Sequence, residues 1–105
     1  MHFSRYGDAV QVSRITGPTH NMLRLEFGTA PGAVEIRNLD ETRPALLRAD
    51  EVEREVLRGI AEANAAFGTD IGVRAISYAA SDSPPASVYW LLAYALVKHF
   101  VVEPA

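Results

Sequence analysis

From Val88 to Val97 every residue is apolar or aromatic, and the stretch that holds them, Ser83 to Val102, sets the terms for the rest of the chain. It reads SPPASVYWLLAYALVKHFVV. Its length and its Ser-Pro-Pro opening predict a helix, with Asp82 or Ser83 as cap and Pro84 or Pro85 in the first turn, where a missing amide costs little. The helix is expected to run to about Phe100, followed by a short tail. A helix with no polar stripe cannot lie on a sheet with its back in water. It must be covered on more than one side. Cover comes either from a second molecule, making a homo-oligomer or a protein complex through the last helix, or from within, by a first helix, a sheet and the Ala45-Leu46-Leu47 segment. A membrane crossing is not expected: a spanning helix needs roughly 20 apolar residues, and Lys98 and His99 interrupt this run.

The rest of the composition narrows the class. The chain has 105 residues and no cysteine, with 49% hydrophobic residues and a net charge of -3. That size predicts a single domain over 1–105 with one adequate core. Without cysteine there are no disulfides or thiolate metal sites, and nothing argues for an oxidising compartment. The N-terminal MHFSRYGDAV lacks the pattern of a signal peptide, so a cytoplasmic location is the expectation. A free-standing nucleic-acid binder shows a basic footprint, which this acidic chain lacks, although Arg5, Arg14, Arg24, Arg37 and Arg74 are available for a local patch.

Read in order, the chain gives β-β-β-α-β-α. Ala9 to Ile15 alternates apolar with polar, as a half-buried strand does. Thr16 to Asn21 is dense in turn formers and reads as a loop. Met22 to Phe27 is the clearest strand, with Leu23, Leu25 and Phe27 on one face and Arg24 and Glu26 on the other. Gly28 to Gly32 reads as a hairpin connection to a third strand, Ala33 to Arg37, paired antiparallel. Asp50 and Glu53 form a capping-box pattern. Val52, Val56, Ile60, Ala63 and Phe67 then mark one buried helical stripe, and Gly68 is placed to end it. Ile71 to Tyr78 is the fourth strand. The expected architecture is an α+β two-layer sandwich, with both helices on one face of a four-stranded sheet.

This order resembles domain four of translation elongation factor G, whose fold is shared with a small-subunit ribosomal protein. Four patches carry the resemblance, in sequence order. Tyr6-Gly7-Asp8-Ala9-Val10 resembles the family's Tyr-Gly-x-Val. Gly59-Ile60-Ala61-Glu62-Ala63, with Gly68 after it, resembles its Gly-Ile-x-Glu-Ala helix. Asp82-Ser83 ahead of Tyr89 and Ala93 resembles its Asp-Ser capping of the last helix. Val101-Val102-Glu103-Pro104 resembles the Leu-Glu-Pro that closes the domain. The family's glycine-rich run before Tyr-Gly is missing, as is its Gly-Gly and Ile-Pro connection before the first helix. The resemblance implies a ribosomal-protein domain 2-like fold and contact with the ribosome. No Gly-x-x-x-x-Gly-Lys phosphate loop is present, so GTP hydrolysis is excluded.

Few residues carry a chemical pattern. His2, His20 and His99 lie far apart, and no pair has the spacing of a helical metal site. No Gly-x-Ser-x-Gly elbow surrounds Ser13, Ser77, Ser81, Ser83 or Ser87. Asp40-Glu41 and Asp50-Glu51 suit acid-base work or a hard cation, but also plain helix-dipole complementarity. The outward arginines Arg24, Arg37, Arg14 and Arg74, with Glu26 and Glu35 opposite, suit cross-strand ion pairs. An RNA-facing sheet mixes aromatic residues among its basic ones, and these strands show none.

Two functional readings follow. The first is a non-catalytic cytoplasmic domain acting by macromolecular contact with the ribosome, a translation factor or a second copy. Its contact elements are the loop Gly17 to Asn21, the turn Ala79 to Pro85 and the exposed side of the last helix. The second is a small-molecule-binding or enzymatic domain, with a pocket between the last helix and the sheet. Tyr78, Trp90 and Tyr94 would line that pocket, and Asp82 or His20 would supply the polar group. His20, Asn21, Tyr78, Asp82, Trp90 and Tyr94 are therefore the candidate binding residues. No cofactor and no metal are called for.

Overall fold

The computed structural model describes residues 1–29 and 32–103. Five strands and two helices follow one another: β1 His2–Tyr6, β2 Ala9–Thr16, β3 Thr19–Phe27, β4 Glu35–Asn38, α1 Ala49–Phe67, β5 Val73–Tyr78 and α2 Val88–Val97. A π-type turn, Lys98–Val102, continues α2. The class is α+β, and the sheet is mixed and five-stranded, in the order β1-β2-β3-β5-β4. The expected sheet had four strands; β1 is the addition.

The first three strands form an antiparallel meander. Gly7 and Gly17 adopt φ of 58° and 61° at the first position of two-residue turns, the place where a II′ hairpin turn needs glycine. Only Gly17-Pro18 is turn, so Thr19, His20 and Asn21, expected in a loop, extend β3 instead.

β4 corrects the expected hairpin. It pairs parallel with β5, at the far edge of the sheet, and β5 lies between it and β3. The cause lies at two glycines. The Gly28 N–H donates to the Gly72 carbonyl at 2.9 Å, and a Cβ on Gly72 would sit 2.7 Å from the Gly28 oxygen. This backbone contact holds the start of β5 against the end of β3, so the edge beside β3 is taken. Ala30 and Pro31 of the expected connection lie outside the described residues.

Register sorts the two faces. Val10, Leu25, Ile76 and Ile36 form one row across four strands, and Val12, Leu23 and Tyr78 form the next. With Ile36 half-buried against it, these residues share one core cluster with Val52, Val56 and Ile60 of α1 and Leu92, Ala93, Leu96 and Val97 of α2. The opposite face carries Gln11, Arg24, Glu26, Glu35 and Arg37. Arg37 reaches Glu26 at 2.9 Å and Glu35 at 2.8 Å; to do so it passes over β5, where small Ala75 and Ser77 give it room. Arg74 joins Glu26 at 3.3 Å. Cross-strand ion pairs therefore account for Arg37 and Arg74, as expected. Arg24 instead bonds the Gln11 side chain and lies over the Tyr6 ring, 4.5 Å from its centroid. β1 thus puts an aromatic residue among the basic ones on the open face, where the sequence reading found none.

α1 begins one residue before the expected cap. Arg48 precedes it without a side-chain cap, and Asp50 and Glu51 sit in the first turn, where negative charge complements the helix dipole. Gly68 closes the helix at φ 67°, donating to the Asn64 carbonyl. The Asn64 side chain then binds Thr69 and Ile71, fixing the path into β5.

α2 is covered mostly from within. Tyr89, Leu92, Ala93, Leu96 and Val97 are fully buried. α1 crosses α2 at Gly59, where any side chain would run into the Trp90 carbonyl. Leu91, at 38% exposure, is the large apolar side chain α2 leaves open to solvent. Leu47 packs into the core as expected, while Leu46 stays exposed. No helix among the described residues is long and apolar enough to cross a membrane.

Candidate functional site

β3 and β5 pair from Phe27/Val73 to Leu23/Tyr78 and then part. Beyond that point no strand of the described residues continues β5 along this edge of β3, from Thr19 to Met22. Backbone N–H groups there need partners, and the turn after β5 provides them. The Met22 N–H donates to Asp82 Oδ2 at 2.8 Å. The His20 N–H donates to Ser83 Oγ, and the Ser83 N–H donates back to the His20 carbonyl, both at 3.1 Å. The Asn21 amide donates to the Ser83 carbonyl at 2.7 Å. Asp82-Ser83 therefore finishes the sheet. It does not cap α2, whose N-cap is Ser87 with no side-chain hydrogen bond.

Asp82 is the centre of this junction. Its side chain is 5% exposed. One oxygen takes the Met22 N–H and, at 3.4 Å, the Tyr89 hydroxyl. The other lies 3.3 Å from His20 Nδ1, on a side chain 57% exposed. Tyr89 Oη also accepts from the Asn21 amide at 3.4 Å. Burial, reinforced by the nearby Asp82 carboxylate, pushes the Tyr89 hydroxyl well above its ordinary pKa. It stays a proton donor, as the bond to Asp82 requires. Burial also raises Tyr78.

The other side of the same turn is tied to the segment after β4. Asn38 Oδ1 accepts from the Ala80 N–H at 2.9 Å and the Asp40 N–H at 3.0 Å. Asp40 accepts from the Ser81 and Thr42 hydroxyls at 2.7 and 2.8 Å. These hydrogen bonds, Ser81 first, hold the Asp40 carboxyl below the usual range. The Leu46 and Leu47 amides donate to the Ala80 carbonyl. The turn 79–83 is thus fastened on two sides, and no buried side-chain polar atom of the described residues lacks a partner.

The structure brings His20, Asn21 and Asp82 together, and with them the loop and the turn expected as contact elements. Tyr78 is buried in the core beside them. Trp90 and Tyr94 lie elsewhere. They meet edge-on at 5.9 Å, Tyr94 tilts against Phe67 at 5.3 Å, and the Arg58 guanidinium sits 5.5 Å from the Trp90 ring centre. This seam joins α2 to α1. The space expected as a pocket between α2 and the sheet is filled by Leu23, Ile76, Tyr89, Leu92 and Leu96. A shallow hollow of about 290 Å³ lies instead on the open face, at Met1, His2, Ser13 and Ile15. Sequence reasoning missed Tyr89 and Asn38 as members of the junction, and gave Ser83, within the expected contact turn, the role of a cap. The local pattern of Asp-Ser before Pro-Pro looks like a cap, and only the tertiary fold shows it as a sheet closure.

Chemically, the junction sets a buried carboxylate 3.3 Å from Nδ1 of an exposed imidazole, a pairing of the kind used in acid-base work. Among the described residues no hydroxyl bonds the His20 ring, and no group of His, Asp or Glu is arranged to hold a metal. The chain matches no protein-family model, no curated protein and no solved structure.

Proposed function

We propose that this protein is a non-catalytic cytoplasmic module that acts by macromolecular contact, through the end of the sheet where Thr16–Asn21 meets Ala79–Pro85. The observation that carries this reading is the internal use of the junction's polar groups. Asp82, Asn21, Ser83 and Tyr89 bind each other and the backbone. What they build is a rigid surface, with Gly17, Pro18, Thr19, Pro84 and Pro85 exposed on it. A surface pre-organised in this way loses little entropy on binding. The filled core beneath α2 supports contact over enclosure of a ligand.

The resemblance to elongation factor G domain four puts the ribosome first among partners, and with it the ribosomal-protein domain 2-like reading of this α+β fold. Co-sedimentation with ribosomes across a salt series tests it. Binding that weakens as salt rises, and is lost when Thr19→Glu adds charge at the junction, is the expected result. No co-sedimentation at low salt removes the ribosome as partner.

One observation favours a second reading, a small-molecule site at the same junction: the exposed His20 ring lies 3.3 Å from a buried carboxylate. Ligand-observed NMR against a fragment set decides it. Fragments that bind this protein and not His20→Ala support the site; equal binding to both dismisses it.

A further inference from the structure

The sheet ends on β4 at one side and on β1 at the other, and the two edges are finished differently. β4 has four residues, and its Glu35 and Arg37 are tied together on the strand. A short, charged edge resists further pairing. β1 has five residues, HFSRY, in unbroken register with β2. It carries no proline, no lysine and no bulge.

The direction of its backbone groups follows from the turn. In a two-residue hairpin the residues flanking the turn, here Tyr6 and Ala9, exchange both hydrogen bonds, and pairs alternate from there. Tyr6, Ser4 and His2 thus face β2, while Phe3 and Arg5 aim their N–H and C=O groups outward. Among the described residues no hydrogen bond reaches those outward groups.

We propose that β1 is a dimerisation edge: two copies pair β1 antiparallel to β1 about a two-fold axis at Ser4, joining their sheets. The register is fixed by two conditions. Outward groups must oppose outward groups, so the axis must pass through a residue and not between two. Like charges must not be opposed. An axis at Arg5 sets arginine against arginine. An axis at Phe3 leaves Arg5 opposite Met1, beyond the end of the strand. An axis at Ser4 sets Phe3 opposite Arg5 on both sides, so both outward residues of each copy are bonded. It also sets His2 opposite Tyr6 on the open face. The charge complementarity is of the cation–π kind. Arg5 already lies 4.8 Å from the Phe100 ring centre, and Phe3 stacks on His99 at 4.0 Å, so the inner side of this edge is aromatic.

This inference uses a different surface from the junction at Asp82 and stands whether or not the junction binds a partner. Light scattering over concentrations from about 1 µM to 1 mM, the range of weak to moderate association, tests it. The mass is expected to climb from the 11.5 kDa of one chain toward twice that value. Arg5→Pro removes an outward donor and leaves the β1–β2 ladder intact; it should hold the mass at one chain with an unchanged circular dichroism spectrum. Cysteine cross-linking gives a second measure that does not depend on that variant folding. The chain has no cysteine, and Ser4 meets its own copy with Cβ atoms about 5 Å apart. Ser4→Cys should therefore oxidise to a covalent dimer, while His2→Cys and Tyr6→Cys cross-link only when mixed. A mass fixed at one chain throughout overturns the proposal. So does a dimer unaffected by Arg5→Pro, or one that cross-links as fast through Tyr6→Cys alone.

Discussion

The two sides of the sheet are built by different means. β1, β2 and β3 follow one another in sequence and in space, joined by two-residue turns. β4 and β5 are neighbours in space but are separated in sequence by the whole of α1, and they run parallel. Their cations differ too. Arg37, Arg43, Arg48, Arg58 and Arg74, on the side of β4, α1 and β5, are in ion pairs, and of the arginines there Arg54 alone makes none among the described residues. Arg5, Arg14 and Arg24, in the meander, make none among the described residues; Arg5 and Arg24 lie over rings. The meander is specified by adjacent residues. The crossover side is specified by contacts between distant ones, such as Gly28 with Gly72, Asn38 with Ala80 and Gly59 with Trp90.

That contrast can be attacked from its strongest point downward. Gly59→Ala should do the most damage. Its methyl would meet the backbone carbonyl of Trp90, which cannot rotate away, so α1 and α2 must part. A loss of about 3 kcal/mol is expected from such overpacking, read as a lowered denaturation midpoint. A variant as stable as the parent would show that the helices slide freely. Asp82→Ala strikes the seam between the two sides. It strands the Met22 N–H and the Tyr89 hydroxyl in a buried place, for about 2–4 kcal/mol. Amide exchange should quicken at residues 19–22 before it does in β5. Gly17→Ala tests the meander alone. A left-handed backbone costs a residue with a Cβ about 1–2 kcal/mol, and only the β2–β3 hairpin should loosen, seen in the same exchange experiment.

The smallest effect concerns Asp40, and it appears only in acid. Its carboxyl is held below the usual range by Ser81 and Thr42. A depressed native pKa stabilises the fold above the unfolded-state pKa, about 3.9, and that contribution is lost as pH falls through the native value. Asp40→Asn should therefore flatten the stability decline below about pH 4, while the parent keeps it. Parallel acid-unfolding curves for the two proteins would contradict this.

The same contrast explains what the residues reveal when read alone. The stripe of α1, the stop at Gly68, and the alternation of β2 and β3 are local periodicities, and all three stand in the structure. β1 went unread because five residues, His-Phe-Ser-Arg-Tyr, carry no clean alternation, although Gly7-Asp8 after them is a hairpin turn. β4 reads as a strand, but its pattern points to an antiparallel neighbour in β3, since nothing near it in sequence announces a parallel partner beyond α1. Half of the candidate site was legible: polar residues in turn-rich segments marked His20, Asn21 and Asp82. Tyr89 was hidden because it stands in an apolar run, where its ring predicts burial and says nothing of the hydroxyl. Trp90 and Tyr94, expected to line a pocket with Tyr78, serve the helix seam instead.

The flat stack of Phe3 on His99 has a bearing on the order of assembly. Phe3 and His99 stand at opposite ends of the sequence that forms this fold. Until the last turn settles, the inner side of β1 has no ring to rest on, and closing so long a loop is slow. The strand that opens the meander would then be the last to find its place.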